Sequence, residues 1–496
     1  MLMNKYLDNL KKGVDLRESA LGLKEEIRKT HSGKTLAKEL AGDFSVFTEL
    51  LKHEDPKVRK NVALVMGELG EESLKPVLWE AYQREEILYI RADYLKALSQ
   101  YDCTPYLEAI KARMEELDRI AVTPEEEKHV YCEQTALKTV LVKTEKIRKH
   151  TFTAWHERLE VILLVNREHR EATAEQLYQP EKVRLLAGGV RFVTDNLERV
   201  QPIRTYTEML FPIPGLELLE GSPQNMAEQL AHSQMLPFLK KCHKEDQPFY
   251  FRLEVRAQMA PEQKVDLVKK LARALEKESD RQLLNAPGGY EIELRLVGNR
   301  EGRFIPLLKL FTIKDRRFSY RVESLPVSIA PVNAALIMYL VKDYLREGAR
   351  VLDPFCGVGT MLIERRQVAT PSALYGVDIM EEAVRKARKN SSLAHVRSDY
   401  IHRDFVDFTH EKPFDEIVTN LPAASRLRNV ESVAALYDRF LEYIPRVARS
   451  GATIVAYTPD YGILKHSLEE HGRYYIKKTF CINEREGSFV VVFRLK

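Results

Sequence analysis

The run Val-Leu-Asp-Pro-Phe-Cys-Gly-Val-Gly-Thr-Met-Leu-Ile-Glu, from Val351 to Glu364, constrains the fold of this chain more than any other stretch. A short apolar segment ends in an acid, a glycine-bearing turn follows, and apolar residues resume at Thr360. That order predicts a strand, a tight turn, and a helix whose first N–H groups point back across the strand end. Gly357 and Gly359 let the backbone pass close to a ligand where a Cβ would collide. The geometry suits a nucleotide-like cofactor above the carboxyl end of a parallel sheet. It is not the dinucleotide fingerprint, because position 362 is Leu where a third glycine would stand. No Gly-Lys-Ser/Thr follows to grip a phosphate either.

Further motifs follow at fitting distances. Tyr375-Gly376-Val377-Asp378-Ile379 reads as a second strand ending in an acid that can accept both hydroxyls of a ribose. A helix with Ala383, Ala387 and Asn390 comes next, then Arg403-Asp404-Phe405, an acid and an aromatic placed to flank an adenine. Phe414 to Pro422 reads as another strand, ending in Asn420-Leu421-Pro422. With these motifs the C-terminal third resembles the S-adenosylmethionine-dependent RNA methyltransferases that modify guanosine N2, the family of THUMP-containing tRNA enzymes. The resemblance implies a Rossmann-like class I methyltransferase fold over 321–496 and S-adenosyl-L-methionine as cofactor. Carried over by motif, the cofactor-binding residues are Ser328, Pro331, Asp353, Phe355, Gly357, Gly359, Thr360, Asp378, Ile379, Asp404, Phe405 and Asn420. Asn420, Leu421 and Pro422 are the implied catalytic residues. Cys356 is expected to pack, not to act as a nucleophile.

The nitrogen of an exocyclic amine on a base is a poor nucleophile, because its lone pair is delocalised into the ring. Two fixed acceptors, the Asn420 side-chain oxygen and the Leu421 carbonyl, would draw it toward tetrahedral geometry, with Pro422 stiffening the turn. The chemistry calls for no metal. One departure stands out: the family places an aromatic after Asn-x-Pro, and this chain has Ala423-Ala424. Stacking on a base is worth ~1–3 kcal/mol, so the departure implies an altered or weaker enzyme unless another ring (Phe355, Tyr437 or one from the middle domain) substitutes. Ser425, Arg426 and Arg428 are candidates for holding a phosphate or a flipped-out base. The same turn suits adenine N6 or a protein glutamine. Ala423 also fits a non-catalytic cofactor-binding protein that serves as an RNA-binding scaffold.

Upstream, 1–150 reads as all-helical. Val58, Val62, Val65, Met66 and Leu69 form an apolar stripe that Ile90, Tyr94, Ala97, Leu98 and Tyr101 echo 32 residues later, with Arg59 and Arg91 in matching places. Leu51 to Arg59, with Asp-Pro opening a helix, resembles a HEAT-like repeat. That region is expected to dock a protein partner. The segment 151–320 reads as a middle α/β domain: Leu159–Val165, Val190–Val193 and Phe249–Val255 as strands, Gln263–Glu278 as a helix, and Tyr290–Leu296 alternating as a sheet covered on one face. It resembles a THUMP domain, which implies structured RNA, in the family's terms tRNA, as partner. Arg252, Arg256, Lys269, Lys270, Arg273 and Arg281 would then contact phosphates. The net charge of +4 permits such a partner. Five scattered cysteines without a Cys-x-x-Cys pair point to a reducing cytoplasm and away from a zinc site. No export signal and no membrane-spanning run is expected.

Overall fold

The structure of the protein, a computed structural model, describes residues 2–30, 32–119, 123–144, 149–424 and 429–496. Its strands, in chain order, are β1 (Leu159–Val165), β2 (Glu181–Leu186), β3 (Gly189–Thr194), β4 (Tyr206–Pro212), β5 (Phe249–Arg256), β6 (Leu283–Asn285), β7 (Ile292–Gly298), β8 (Phe304–Leu310), β9 (Arg350–Asp353), β10 (Ala373–Asp378), β11 (Asp399–His402), β12 (Phe414–Asn420), β13 (Ala448–Thr458), β14 (Tyr474–Asn483) and β15 (Ser488–Leu495). The chain forms two compact units, Met1–Phe152 with Ile213–Thr312, and Thr153–Pro212 with Ile313–Lys496.

The first unit begins with helices, and its repeat is visible in hydrogen bonds. Asp55 caps helix Pro56–Leu69 by accepting from the Lys57 N–H, Pro56 fills the first turn, and Gly70 ends it in the left-handed region. Both predicted stripes are buried. Arg59 makes a two-pronged pair with Glu85 (2.8 and 2.9 Å) and donates to the His53 carbonyl six residues upstream. Arg91 repeats this, donating to Glu133 (2.9 Å) and to the Glu85 carbonyl. Helices Pro56–Leu69 and Leu88–Leu98 touch at Gly67, where a Cβ would lie 2.7 Å from the Ala97 Cα.

The same unit contains β8-β7-β5-β6, in which β5 runs parallel to β6 and β7, and β8 antiparallel to β7. The alternation in β7 predicted one solvent face, yet Glu293 and Arg295 are each 1% exposed. Glu293 accepts from Arg252 (2.6 Å) and from Arg295 (2.6 Å), so paired charges take the places that water would have filled. Arg252 also lies 4.1 Å over the Tyr290 ring. Arg273 pairs with Glu127 (2.5 Å) and Lys270 with Asp266 (2.8 Å).

The boundaries expected at 150/151 and 320/321 do not match these units. The polar bonds around the middle region show why. In the first unit His150 bonds Glu291 (2.7 Å) and stacks on Phe249, and Asn285 bonds Tyr131. In the second, Arg204 grips Glu364 through two bonds (2.7 and 2.8 Å), and Glu364 also accepts from Tyr320 (2.7 Å). Arg317 donates to the Ile203 and Tyr206 carbonyls, while Asn166 donates to the Ile482 carbonyl (2.8 Å). The segment with β1 to β4, antiparallel in the order β2-β3-β1-β4, is thus secured to the C-terminal sheet.

That sheet has the order β11-β10-β9-β12-β13-β15-β14, parallel except for β15. Period-two alternation splits it: Leu352, Ile417 and Ile454 face one core, Val351, Val418 and Val455 the other. The chain builds outward from β9 to β11, then returns to β12. A crevice therefore opens where β9 and β12 end side by side.

Candidate active site

Asp353 ends β9 and Asn420 ends β12, so the two sit on either side of that switch point. Asp353 is 1% exposed. Its Oδ1 accepts from the Thr419 hydroxyl (2.6 Å) and the Phe355 N–H (3.1 Å), while Oδ2 is buried without a hydrogen-bond partner among the described residues. Burial pushes its pKa up to about 7 against those two hydrogen bonds, and the nearby Asp378 adds to the rise.

The two glycines of the turn have different physical reasons. Gly359 has φ +84°, and a Cβ there would lie 2.5 Å from the Tyr400 hydroxyl, so the protein itself excludes a side chain. Gly357 has φ +52° and nothing within 4 Å of its Cβ position, which leaves open space in front of the turn. Its N–H donates to Asp378 Oδ2 (2.9 Å), and Met380 donates to Oδ1 (2.9 Å). Asp378 is half-buried, and each carboxylate oxygen keeps a lone pair for a ligand hydroxyl. Ile379 beside it is 67% exposed. Thr360 is buried, with its hydroxyl accepting from Arg321, whose pKa burial lowers.

Asp404 caps the short turn that follows it by accepting from Val406 N–H (3.3 Å), and Arg439 lies 3.5 Å away. Phe405 is 5% exposed and packs on Phe355 (4.7 Å between centroids) and Tyr443 (5.3 Å). Apolar neighbours hold it in the core, while Ile379 and Met380 are exposed apolar side chains at this edge. Ser328 closes its own turn by accepting from Leu325 N–H, and Pro331 opens helix Pro331–Leu340. Asn390, fully buried, ties the preceding segment to the glycine turn by bonding both the Glu323 backbone and the Val358 carbonyl. Burial pushes the Cys356 thiol well above its usual range, in keeping with a packing role.

The turn after Asn420 is clamped from three places. Leu421 N–H donates to the Tyr457 carbonyl (2.9 Å). Tyr437 donates to the Pro422 carbonyl (3.1 Å) and lies 2.7 Å from the Thr458 hydroxyl. Ala424 N–H donates to Asp460 (2.8 Å). Sequence reasoning missed Tyr437, Thr458 and Asp460 as supports, since nothing local ties a side chain to a backbone group fifteen or more positions away. Tyr437 is 0% exposed and so is not a free ring to replace the aromatic at Ala423, while Phe355 is partly buried against Phe405 and Phe440. The Asn420 carboxamide has no hydrogen-bond partner among the described residues. Ser425, Arg426 and Arg428 lie outside the described residues.

Residues 319–483 match the family model described as RMKL-like, methyltransferase domain, and residues 38–100 match HEAT repeats. The second unit therefore carries a class I methyltransferase fold, preceded in the chain by a HEAT-like helical region. The chain is similar to ribosomal protein L11 methyltransferase of Dictyoglomus turgidum, 36% identical over 17% of this chain and 27% of that protein. It is also similar to tRNA (guanine(6)-N2)-methyltransferase of Thermus thermophilus, 31% identical over 28% of this chain and 42% of that protein. It thus spans less than half the length of either curated relative. The crystal structure of TrmN from Thermus thermophilus aligns over 68% of this chain and all of that one, at a TM-score of 0.51 and 20% identity, a likeness of fold.

Proposed function

We propose that this protein is an S-adenosylmethionine-dependent RNA methyltransferase acting on guanosine N2, with tRNA as the substrate class. The observation that carries the proposal is Asn420: its carboxamide has no partner among the described residues, and it ends the strand beside Asp353 on a turn clamped from three sides. The crevice fits the cofactor. Asp353 Oδ2 is a buried oxygen with no hydrogen-bond partner among the described residues, Gly357 fronts open space, Asp378 has lone pairs for a ribose, and Ile379 offers an exposed apolar face. S-adenosylmethionine supplies a methyl group on a sulfonium. Asn420 accepts one N–H of the amine and the Leu421 carbonyl the other, which aims the nitrogen lone pair along a fixed direction. The buried Leu421 side chain and Pro422 keep both acceptors from moving.

Similarity to a tRNA guanine-N2 enzyme supports the substrate, and five free cysteines agree with a reducing cytoplasm. Similarity to a ribosomal-protein methyltransferase favours a second reading, transfer to a protein amine. Mass spectrometry of nucleosides from total small RNA decides between them. Deletion of the gene should remove an N2-methylguanosine, wild type should restore it, and Asn420→Ala should not. Unchanged nucleosides with label transferred to protein would select the second reading.

A further inference from the structure

A planar base brought to Asn420 needs a surface to lie against, and the turn that follows offers only Ala423 and Ala424. The nearest aromatic in register is on the neighbouring strand. In the parallel pair β12–β13, Val418 faces Val455 and Asn420 faces Tyr457. Register partners on adjacent parallel strands project from the same side of a sheet, about 4.8 Å apart. Val418 and Val455 both enter the core that Ile329 covers, so Asn420 and Tyr457, two residues further along, project on that same side. Tyr457 is only half-buried, packs along the rim of that core, and its hydroxyl makes no hydrogen bond among the described residues. Its backbone is anchored, because its carbonyl accepts from Leu421 N–H at 2.9 Å and its strand is paired on both sides. The ring is therefore held at a fixed height beside the carboxamide, on a strand and not on the loop.

We propose that Tyr457 is the base-stacking residue of this site, a platform on which the target base rests while Asn420 accepts from its amine. This rests on the function proposed above and adds a contact that selects a planar aromatic acceptor over an aliphatic amide. Stacking is sequence-tolerant, so the platform sets how well a base is held, and the Asn420 turn sets which atom is methylated.

The test compares wild type, Tyr457→Phe, Tyr457→Leu and Asn420→Ala, with two readouts: NMR titration with guanosine 5′-monophosphate in the presence of S-adenosylhomocysteine, and initial rates on unmodified tRNA transcripts. Tyr457→Leu should weaken nucleotide binding and raise KM by about 10–100-fold, the span of one stacked base, while kcat changes less. Tyr457→Phe should recover most of that loss, because stacking needs the ring and not the hydroxyl. Unchanged S-adenosylhomocysteine affinity in Tyr457→Leu shows that the variant is folded. A Tyr457→Leu protein that binds and turns over like wild type, with Asn420→Ala inactive, overturns the platform and leaves the function standing. A wild type that neither binds the nucleotide nor methylates RNA overturns both.

Discussion

The turn at Gly357–Thr360 and the turn at Asn420–Ala424 lie at the same edge of one sheet and are built in different ways. The first bends through its own backbone: two glycines at positive φ place the chain, and Asp378 needs only to accept the Gly357 N–H. The second contains no glycine and is held from outside, by a tyrosine hydroxyl, an aspartate and a neighbouring strand's carbonyl. A turn shaped by its own residues can present open space to a ligand. A turn clamped from behind can leave one side chain, Asn420, without a hydrogen-bond partner among the described residues while its backbone is held in place. The first suits holding a cofactor, the second suits orienting an acceptor atom.

Substitutions should separate these two devices. The largest effect falls on Asn420→Ala, which removes an acceptor used in the transition state. Methyl transfer should drop by about two to three orders of magnitude, with cofactor affinity retained, as read by initial rates and calorimetry. Gly359→Val comes next, since it forces a β-branched residue into left-handed backbone against Tyr400. Unfolding free energy should fall by about 3 kcal/mol or more in urea titrations. Gly357→Ala, with no neighbour to strike, should lose about 1–2 kcal/mol of stability from backbone strain alone. Tyr437→Phe deletes the clamp on Pro422 and should lower kcat about tenfold with about 1 kcal/mol of stability lost.

A pH dependence probes the first turn separately. Asp353 has a folded pKa near 7, above its unfolded value, so the folded state retains its proton longer. Its contribution to stability is fully present below about pH 4 and is lost as pH rises toward 7. Asp353→Asn should therefore flatten the melting-temperature profile between pH 4 and pH 7. An unchanged slope would show that Asp353 is ionised throughout.

The same division explains how much was readable from residues alone. The first turn was legible because its glycines, acids and following helix are contiguous and each residue type has a local reason. The Arg59 and Arg91 echo was legible as well, because a repeat copies its side-chain partners along with its spacing. The clamp on Asn420 was not, because Tyr437, Thr458 and Asp460 arrive from other elements. Long-range pairing also undid the β7 expectation, where Glu293 and Arg295 neutralise each other on a face that alternation assigns to water. The ring of Phe405 packs on Phe355 and Tyr443, contacts that its sequence neighbours do not reveal.

One measurement bears most directly on the division of labour between the two turns. Protein is mixed with tritium-labelled S-adenosylmethionine and unmodified tRNA transcript for a single turnover, and bound and transferred label are counted in the same sample. Gly357→Ala should lose both together, and Asn420→Ala should keep the bound label and lose the transferred label. Equal transfer by Asn420→Ala and wild type, or no bound label in wild type, would contradict the account.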